Sequence, residues 1–332
     1  MLNYFIRPEA LRNKLWHNHS FTCLQLIKNS WRFLYISQII ATIGVCVKNS
    51  RLTIGLTIKS ILNQNFPHGN MEVIVVDGYS SDGSFELIKR QLSTSDIKST
   101  FFSENTGLGF ARQVVVDNAK GKYVIWVDGD MVLPPNHVKK QVAFIDANPS
   151  VGIGRSRYGI WPASGTIAFL ENIPFVIESL KFRKEVPIGI CGTEGAIHRV
   201  AAMRQVGGFN VNIQGAAEDT DLARRILHAG WKACATEAVF YELCKESWRD
   251  LWNQYLWWGK GWHLYFHKEN GDRLELLKLS PLGGIISGSI RIPLAYVLTH
   301  RKILFLLPFH YFFKRIAFCV GITKAHQMGY GH

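Results

Sequence analysis

A chain of 332 residues, 47% apolar, can bury a sizeable core as one large domain or two smaller ones. Its formal charge of +13 belongs to its ends: no Asp or Glu occurs from Ala10 to Met71 or from Leu276 to His332, and each stretch carries seven Lys or Arg. Basic ends suit anionic lipid or nucleic acid, but the C-terminal ones sit among Leu, Ile, Phe and Tyr, which favours a membrane surface and argues against a nucleic-acid partner. The six cysteines show no metal-ligand spacing and read as reduced, structural thiols in a cytosolic setting. The first 35 residues lack the apolar run of a secretory signal.

In chain order, the β-branched run Ile39–Val47 predicts a buried strand. Ile54, Ile58, Ile61 and Leu62 put one apolar face on a helix from about Ser50 to Gln64, broken by Pro67 and Gly69. Met71–Val76 predicts a second strand ending at Asp77. A turn over Gly78–Gly83 and a helix marked by Phe85, Ile88 and Leu92 follow. A short third strand lies near Thr100–Phe102, a helix is marked by Leu108, Ala111, Val115 and Ala119, and a strand runs over 122–128. This alternation predicts parallel βαβ units in a doubly wound α/β sheet, whose ligands bind at the carboxyl ends of the strands. Beyond it we expect a helix from Pro134-Pro135 to about Ala147, a short strand over Val151–Gly154 and a helix over Thr166–Lys184 kinked at Pro174. Strands at 194–198 and 233–241 and a helix opening at Glu218 and ending at Gly230 complete this part. After Ser247 the chain turns aromatic and helical. The expected organisation is an N-terminal basic and aromatic helical extension (1–38), a catalytic domain (39–245) and a C-terminal region of membrane-associated helices (246–332).

Three acids fall at the carboxyl edge of the predicted sheet: Asp77, and Asp128 and Asp130 flanking Gly129. Paired acids at a sheet mouth can hold Mg²⁺ or Mn²⁺ while leaving positions open for a diphosphate. Gly129 removes a side chain where a nucleotide would approach. Asp77 could accept hydrogen bonds from a base or ribose, and Asp82 is expected to cap the next helix. Gly107-Leu108-Gly109-Phe110-Ala111-Arg112 fails as a dinucleotide fingerprint, and Arg112 suits either a phosphate or a structural salt bridge. Glu218, Asp219 and Asp221 exceed what a helix N-terminus needs, so one of them is a candidate general base. The aromatic cluster around Trp257 and Trp258 reads as core, as membrane-interface belt or as a stacking platform.

Together these pieces resemble a family 2 glycosyltransferase, the inverting, nucleotide-sugar-dependent class with a GT-A fold. The matching segments, in family order, are the first strand with Asn49, Ser60 to Pro67, Glu72 to Gly78, Asn105 to Arg112, Asp128-Gly129-Asp130, Gly207-Gly208-Phe209 and Glu218-Asp219 through Gly230. The resemblance implies a donor site of Val47, Asn49, Asp77, Arg112 and Asp128, a metal on Asp130 with Asp128, and Asp219 as base beside Glu218. The acceptor side would be Gly192, Glu194 and Gly195 with Trp257 and Trp258. It implies a UDP- or GDP-sugar donor, a divalent cation and a lipid-linked or glycan acceptor. Two departures matter. Gly78 stands where many members have a second acid, and Gln254-Tyr255-Leu256-Trp257-Trp258 replaces the Gln-x-x-Arg-Trp of processive synthases, which points to one sugar per encounter. A polyprenyl-phosphate sugar synthase is the alternative enzyme, and a non-catalytic binding protein on the same domain the alternative class.

Pro281–Thr299 approaches the length of a membrane span but carries Arg291 at its middle, costing roughly 2.5–3.5 kcal/mol on insertion. Ile303–Phe313 is cut short by Lys314-Arg315. Both therefore read as interfacial or re-entrant helices on an anionic cytoplasmic leaflet, with a membrane span or a helical cap packed on the soluble domain as the alternatives.

Overall fold

The computed structural model describes residues 38–181, 184–187, 191–213, 216–269 and 279–329. The N-terminal extension expected over 1–38 lies, apart from Gln38, outside them. Everything from Ile39 onward forms one unit.

Its centre is an eight-stranded mixed sheet. β1 (Ala41–Val47), β2 (Met71–Asp77), β3 (Lys98–Ser103) and β4 (Tyr123–Trp126) are parallel, in the order β3-β2-β1-β4. The sheet continues through β7 (Ile197–Arg199), β6 (Val151–Gly159), β8 (Lys232–Glu242) and β5 (Met131–Val132). β7 runs antiparallel to both its neighbours, β8 is parallel to β6, and β5 is antiparallel to β8. β1, β2 and β4 are buried almost throughout, because helices cover both faces of the sheet; hence they read as unbroken apolar runs rather than alternating ones. Ile43, Val45, Val73 and Val75 pack on one face, with Ile54, Ile58 and Ile61 of α1 (Ile54–Leu62) and Ile88 of α2 (Ser84–Leu92). Ile74, Val76, Val124 and Trp126 pack on the other, with Val115 and Val116 of α3 (Leu108–Asn118).

Three expectations shift. α1 begins at Ile54 because Ser50–Thr53 form a turn, in which the Ser50 carbonyl accepts from the Thr53 and Ile54 amides. β6 reaches Gly159 rather than stopping at Gly154; its apolar signal breaks at Arg155, which is nonetheless buried because it pairs with Glu194. Two elements, β5 and α6 (Val200–Gln205), are too short to announce themselves. α4 (His137–Ala147) and α7 (Glu218–His228) fall where the sequence pattern puts them, and α5 (Thr166–Leu180, with Pro174 inside) starts as expected but stops short of Lys184.

The C-terminal helices are α8 (Trp248–Glu269), α9 (Pro281–Thr299) and α10 (Leu307–Gln327). By length and composition alone, α9 and the segment Lys302–Gln327 could each cross a membrane. Lys314 does not interrupt the second of these, contrary to the sequence reading. It lies on the buried stripe of α10, with Leu307, His310, Tyr311, Ala317 and Phe318, and turns into the protein. Its Nζ is 2.8 Å from Oε2 of Glu171 on α5. His310 Nε2 meets the same oxygen at 2.7 Å, and the Tyr255 hydroxyl donates to Oε1 at 2.6 Å. Burial alone would push the Glu171 carboxyl up, but Lys314 and His310 outweigh it and hold it at about 2. Arg291 also turns inward: it donates to the Ser287 carbonyl at 3.0 Å and lies 4.0 Å from Glu178. Its charge therefore does not sit on the exposed face of α9. That face is Leu282, Ile285, Ile286, Ile290, Leu294, Val297 and Leu298. The opposite side of α9 approaches α10 closely through Gly284 and Gly288, where a Cβ would press on the Tyr311 and Leu307 backbone.

Breaking a buried ion pair strands the remaining charge, so Lys314→Met is expected to lower the unfolding free energy by about 3 kcal/mol or more. Because the folded Glu171 titrates below its ordinary 4.5, its stabilisation is full above that pH and is lost as pH falls toward 2. Denaturant melts of wild type and Glu171→Gln between pH 5 and 3 should show a shallower acid loss in the variant.

Candidate active site

The carboxyl ends of β1, β2 and β4 meet at one edge. Asp77 ends β2 level with Val47 of β1; β1 thus lies between Asp77 and the Asp128 turn, and the two acids are not on adjacent strands. Asp77 is buried. Its Oδ2 accepts from the Ser80 amide at 2.9 Å, while Oδ1 has no partner among the described residues. A buried acceptor without a donor is costly unless a ligand supplies one. Asn49 stands in the left-handed region (φ 51°), and its Oδ1 accepts from the Ser81 amide at 2.9 Å, tying the ends of β1 and β2 together. Asp82 accepts from the Arg51 amide at 2.9 Å and from the Ser84 amide at 3.0 Å, but it stands one residue before the N-cap of α2, which is Gly83, so it braces the turn rather than capping the helix as expected.

β4 leaves the ladder after Trp126, and Asp128-Gly129-Asp130 makes a turn closed by the Met131 amide donating to the Asp128 carbonyl. The protein's own packing also requires a glycine at 129. A Cβ there would lie 2.8 Å from Ser50 Oγ, and the Gly129 carbonyl accepts from the Thr53 hydroxyl at 2.7 Å and the Thr57 hydroxyl at 3.2 Å. The glycine admits Ser50, in the turn before α1, and Thr53 and Thr57 clamp the acidic turn through its carbonyl.

Arg112, one turn into α3 and buried, reaches both acidic motifs. Its Nη2 lies 3.3 Å from Asp128 Oδ1, and its Nη1 bonds Oε1 of buried Glu218. Of the two uses open to Arg112, the structure shows the salt bridge. Burial pushes the Glu218 carboxyl up, and the ion pair with Arg112 opposes that rise. Burial lifts Asp128 to about 6, with Arg112 opposing and Asp130 adding. The surplus acid at the start of α7 then resolves. Glu218 belongs to Arg112, and Asp221 pairs with Arg225 one turn on at 2.7 Å. Asp219, half-buried, is the one of the three that makes no ion pair among the described residues; its Oδ1 accepts from the Thr220 amide at 2.7 Å. Burial, then Glu194, raise its pKa. Ala217, which precedes these acids, is held at φ 87°, a strained conformation that aims the first turn of α7.

The 192–195 loop faces the same place. The Gly195 carbonyl accepts from Gln141 Nε2 at 2.7 Å and the Ser156 hydroxyl at 2.9 Å, with His137 Nε2 at 3.2 Å. Gly195 itself has φ 62°. Glu194 is held by Arg155 at 2.9 Å, and a Cβ on Gly192 would collide with the Glu194 carboxylate. The loop thus presents Glu194 to Asp219. The aromatic pair is split: Trp257 is exposed, whereas Trp258 packs with Tyr255 (ring centroids 4.8 Å) in the cluster that joins α8 to α10.

Two groups at this edge escaped the sequence reading. Glu242 ends β8 opposite Met131, and burial, then Asp130, push its carboxyl well up. Lys245 places Nζ 3.2 Å from Asp130 Oδ2. The same cue that singled out Asp77, a charge where an apolar strand ends, applies to Glu242.

No set of three His, Cys, Asp or Glu side chains that could hold a metal occurs among the described residues. Asp128 and Asp130 each keep one carboxylate oxygen outside their ion pairs. Two carboxylates fit Mg²⁺ or Mn²⁺, which take one or two protein carboxylates and complete their shell with water and substrate phosphate.

A sequence profile of Glycosyl transferase family 2 matches residues 42–206, and the chain belongs to that family. It is 29% identical over 119 residues to the putative teichuronic acid biosynthesis glycosyltransferase TuaG of Bacillus subtilis, and 31% identical over 103 residues to the poly(ribitol-phosphate) beta-N-acetylglucosaminyltransferase TarS of Staphylococcus aureus. These matches cover 36% and 31% of this chain but only 46% and 18% of the relatives. The fold matches that of the mannosyltransferase PcManGT from Pyrobaculum calidifontis, solved with GDP-Man and Mn²⁺. The TM-score is 0.60 at 18% identity, over 91% of this chain and 94% of the other.

Arg112→Met should leave Glu218 buried and unpaired, costing about 3–5 kcal/mol. Adding Glu218→Gln should recover much of that loss in urea melts, and a simple sum of the two single effects would show that the pair is not coupled.

Proposed function

We propose that the protein is a metal-dependent, inverting glycosyltransferase. In this reading it moves one sugar from a UDP- or GDP-sugar to a lipid-linked or envelope glycan acceptor at the cytoplasmic face of a membrane. The observation that carries the reading is the uncommitted carboxylate: Arg112 and Arg225 neutralise the neighbours of Asp219 and leave it to act as base. Asp219 takes the proton of an acceptor hydroxyl, whose oxygen bonds to the anomeric carbon as the bond to the diphosphate breaks, with inversion. Asp77, with its free Oδ1, Val47 and Asn49 form the base and ribose side, Asp128 faces the ribose or sugar, and Glu194 with the 192–195 loop lines the acceptor side. Asp130, with Asp128, would hold Mg²⁺ or Mn²⁺, which stabilises charge growing on the leaving diphosphate. Membrane placement is supported by the exposed apolar face of α9 and by exposed Arg301 and Lys302 just beyond it.

Asp219→Asn should bind UDP or GDP as wild type does yet lose transfer by about a hundredfold or more. Since burial raises the pKa of the base, the acid limb of kcat/KM should lie above the ordinary carboxylate range, with activity lost as pH falls through it. A variant that turns over normally would refute the assignment. For the membrane, Ile286→Glu with Ile290→Glu should abolish co-sedimentation with phosphatidylglycerol vesicles while leaving transfer to a soluble acceptor intact.

A further inference from the structure

The turn acids are not equivalent in what holds them. Asp128 is paired with Arg112, a buried, planar group fixed at its other end by Glu218. Asp130 is paired with Lys245, a half-buried ammonium on a flexible stem. The backbone just before Lys245 is fastened at the rim: the Leu243 amide donates to the Asp130 carbonyl at 2.7 Å, and β5 pairs with β8 through Met131 and Glu242. Lys245 is therefore built to reach Asp130 and is also free to leave it. An ammonium and a divalent ion on one carboxylate repel each other, so the two cannot share Asp130 without a further anion.

We propose that Lys245 competes with the divalent cation for Asp130, so that the ion is bound tightly only together with the nucleoside diphosphate. The inference rests on the reading of Asp130 as a metal ligand. Two carboxylates, each with one oxygen already in an ion pair, make a poor site for a bare ion. A diphosphate changes the balance twice. It supplies oxygens to the ion, and it gives the displaced ammonium a new partner at the same rim. Metal and nucleotide then raise each other's affinity by one common factor. Lys245 is a positioning residue in this scheme, and its substitution moves metal binding directly rather than through turnover.

The test is Mn²⁺ binding by the full chain, followed by the loss of the free-ion EPR signal, alone and with UDP or GDP in separate arms. In Lys245→Met, Mn²⁺ alone should bind about tenfold more tightly than in wild type, and the gain from nucleotide should shrink. Lys245→Arg, which keeps the charge, should stay close to wild type. Unchanged affinity for Mn²⁺ alone in Lys245→Met would overturn the proposal. Asp130→Asn separates the two claims. If it abolishes Mn²⁺ binding while Lys245→Met is silent, the ligand assignment stands and the competition is wrong. If it leaves Mn²⁺ binding intact, the ligand assignment fails and the competition fails with it.

Discussion

The site depends on the contact between one guanidinium and two acids. Arg112 comes from α3, Asp128 from the end of β4 and Glu218 from the first turn of α7, and the interactions that join them are buried or nearly so. A buried arginine cannot shed its charge, and a buried carboxylate cannot lie unpaired without a large penalty. Each of the three elements is therefore constrained by the other two. The consequence for chemistry is indirect: because Glu218 is fixed, its neighbour Asp219 is fixed, and because Asp128 is fixed, so is the turn that ends in Asp130. Glycines complete the constraint, Gly129 by admitting Ser50 just before α1 and Gly109 by leaving α3 bare where an added Cβ would lie 3.5 Å from Glu218 Cβ.

Around this knot the charges are arranged in pairs of unequal firmness. Glu171, with its lysine, histidine and tyrosine, is held from three sides and serves packing. Arg155 and Glu194 are firm at the arginine and open at the acid. Lys245 and Asp130 are partly open at both ends. The gradient runs from the helical tail toward the sheet edge, and the groups that a substrate would have to rearrange are those with the most solvent.

Much of this was legible in the chain. Parallel strands buried on both faces write themselves as continuous apolar runs, so β1, β2 and β4 were evident, and acids at the ends of such runs stood out. What the sequence hid were partners far apart along it. Lys314 looked like an interruption of an apolar helix because its acid lies 143 residues earlier. Arg291 looked like a charge within a span for the same reason, its partner being on α5. The three acids of α7 were a correct signal of excess, but only the positions of Arg112 and Arg225 say which of them is spare. Gly129 was rightly marked as a place where something comes close, and the something proved to be the protein's own Ser50.

The glycines of α8 carry one further implication. A Cβ at Gly259 would strike the Phe318 backbone of α10, and one at Gly261 would strike the backbone of Ala216, two residues before Glu218 opens α7. Two residues apart on a helix, these contacts look in nearly opposite directions. Helix α8 is thus a spacer wedged between the apolar tail and the acids, and it sets their separation at about one helix diameter, roughly 10 Å. On the proposed membrane placement, the depth at which the tail settles would fix the height of the α7 acids above the surface.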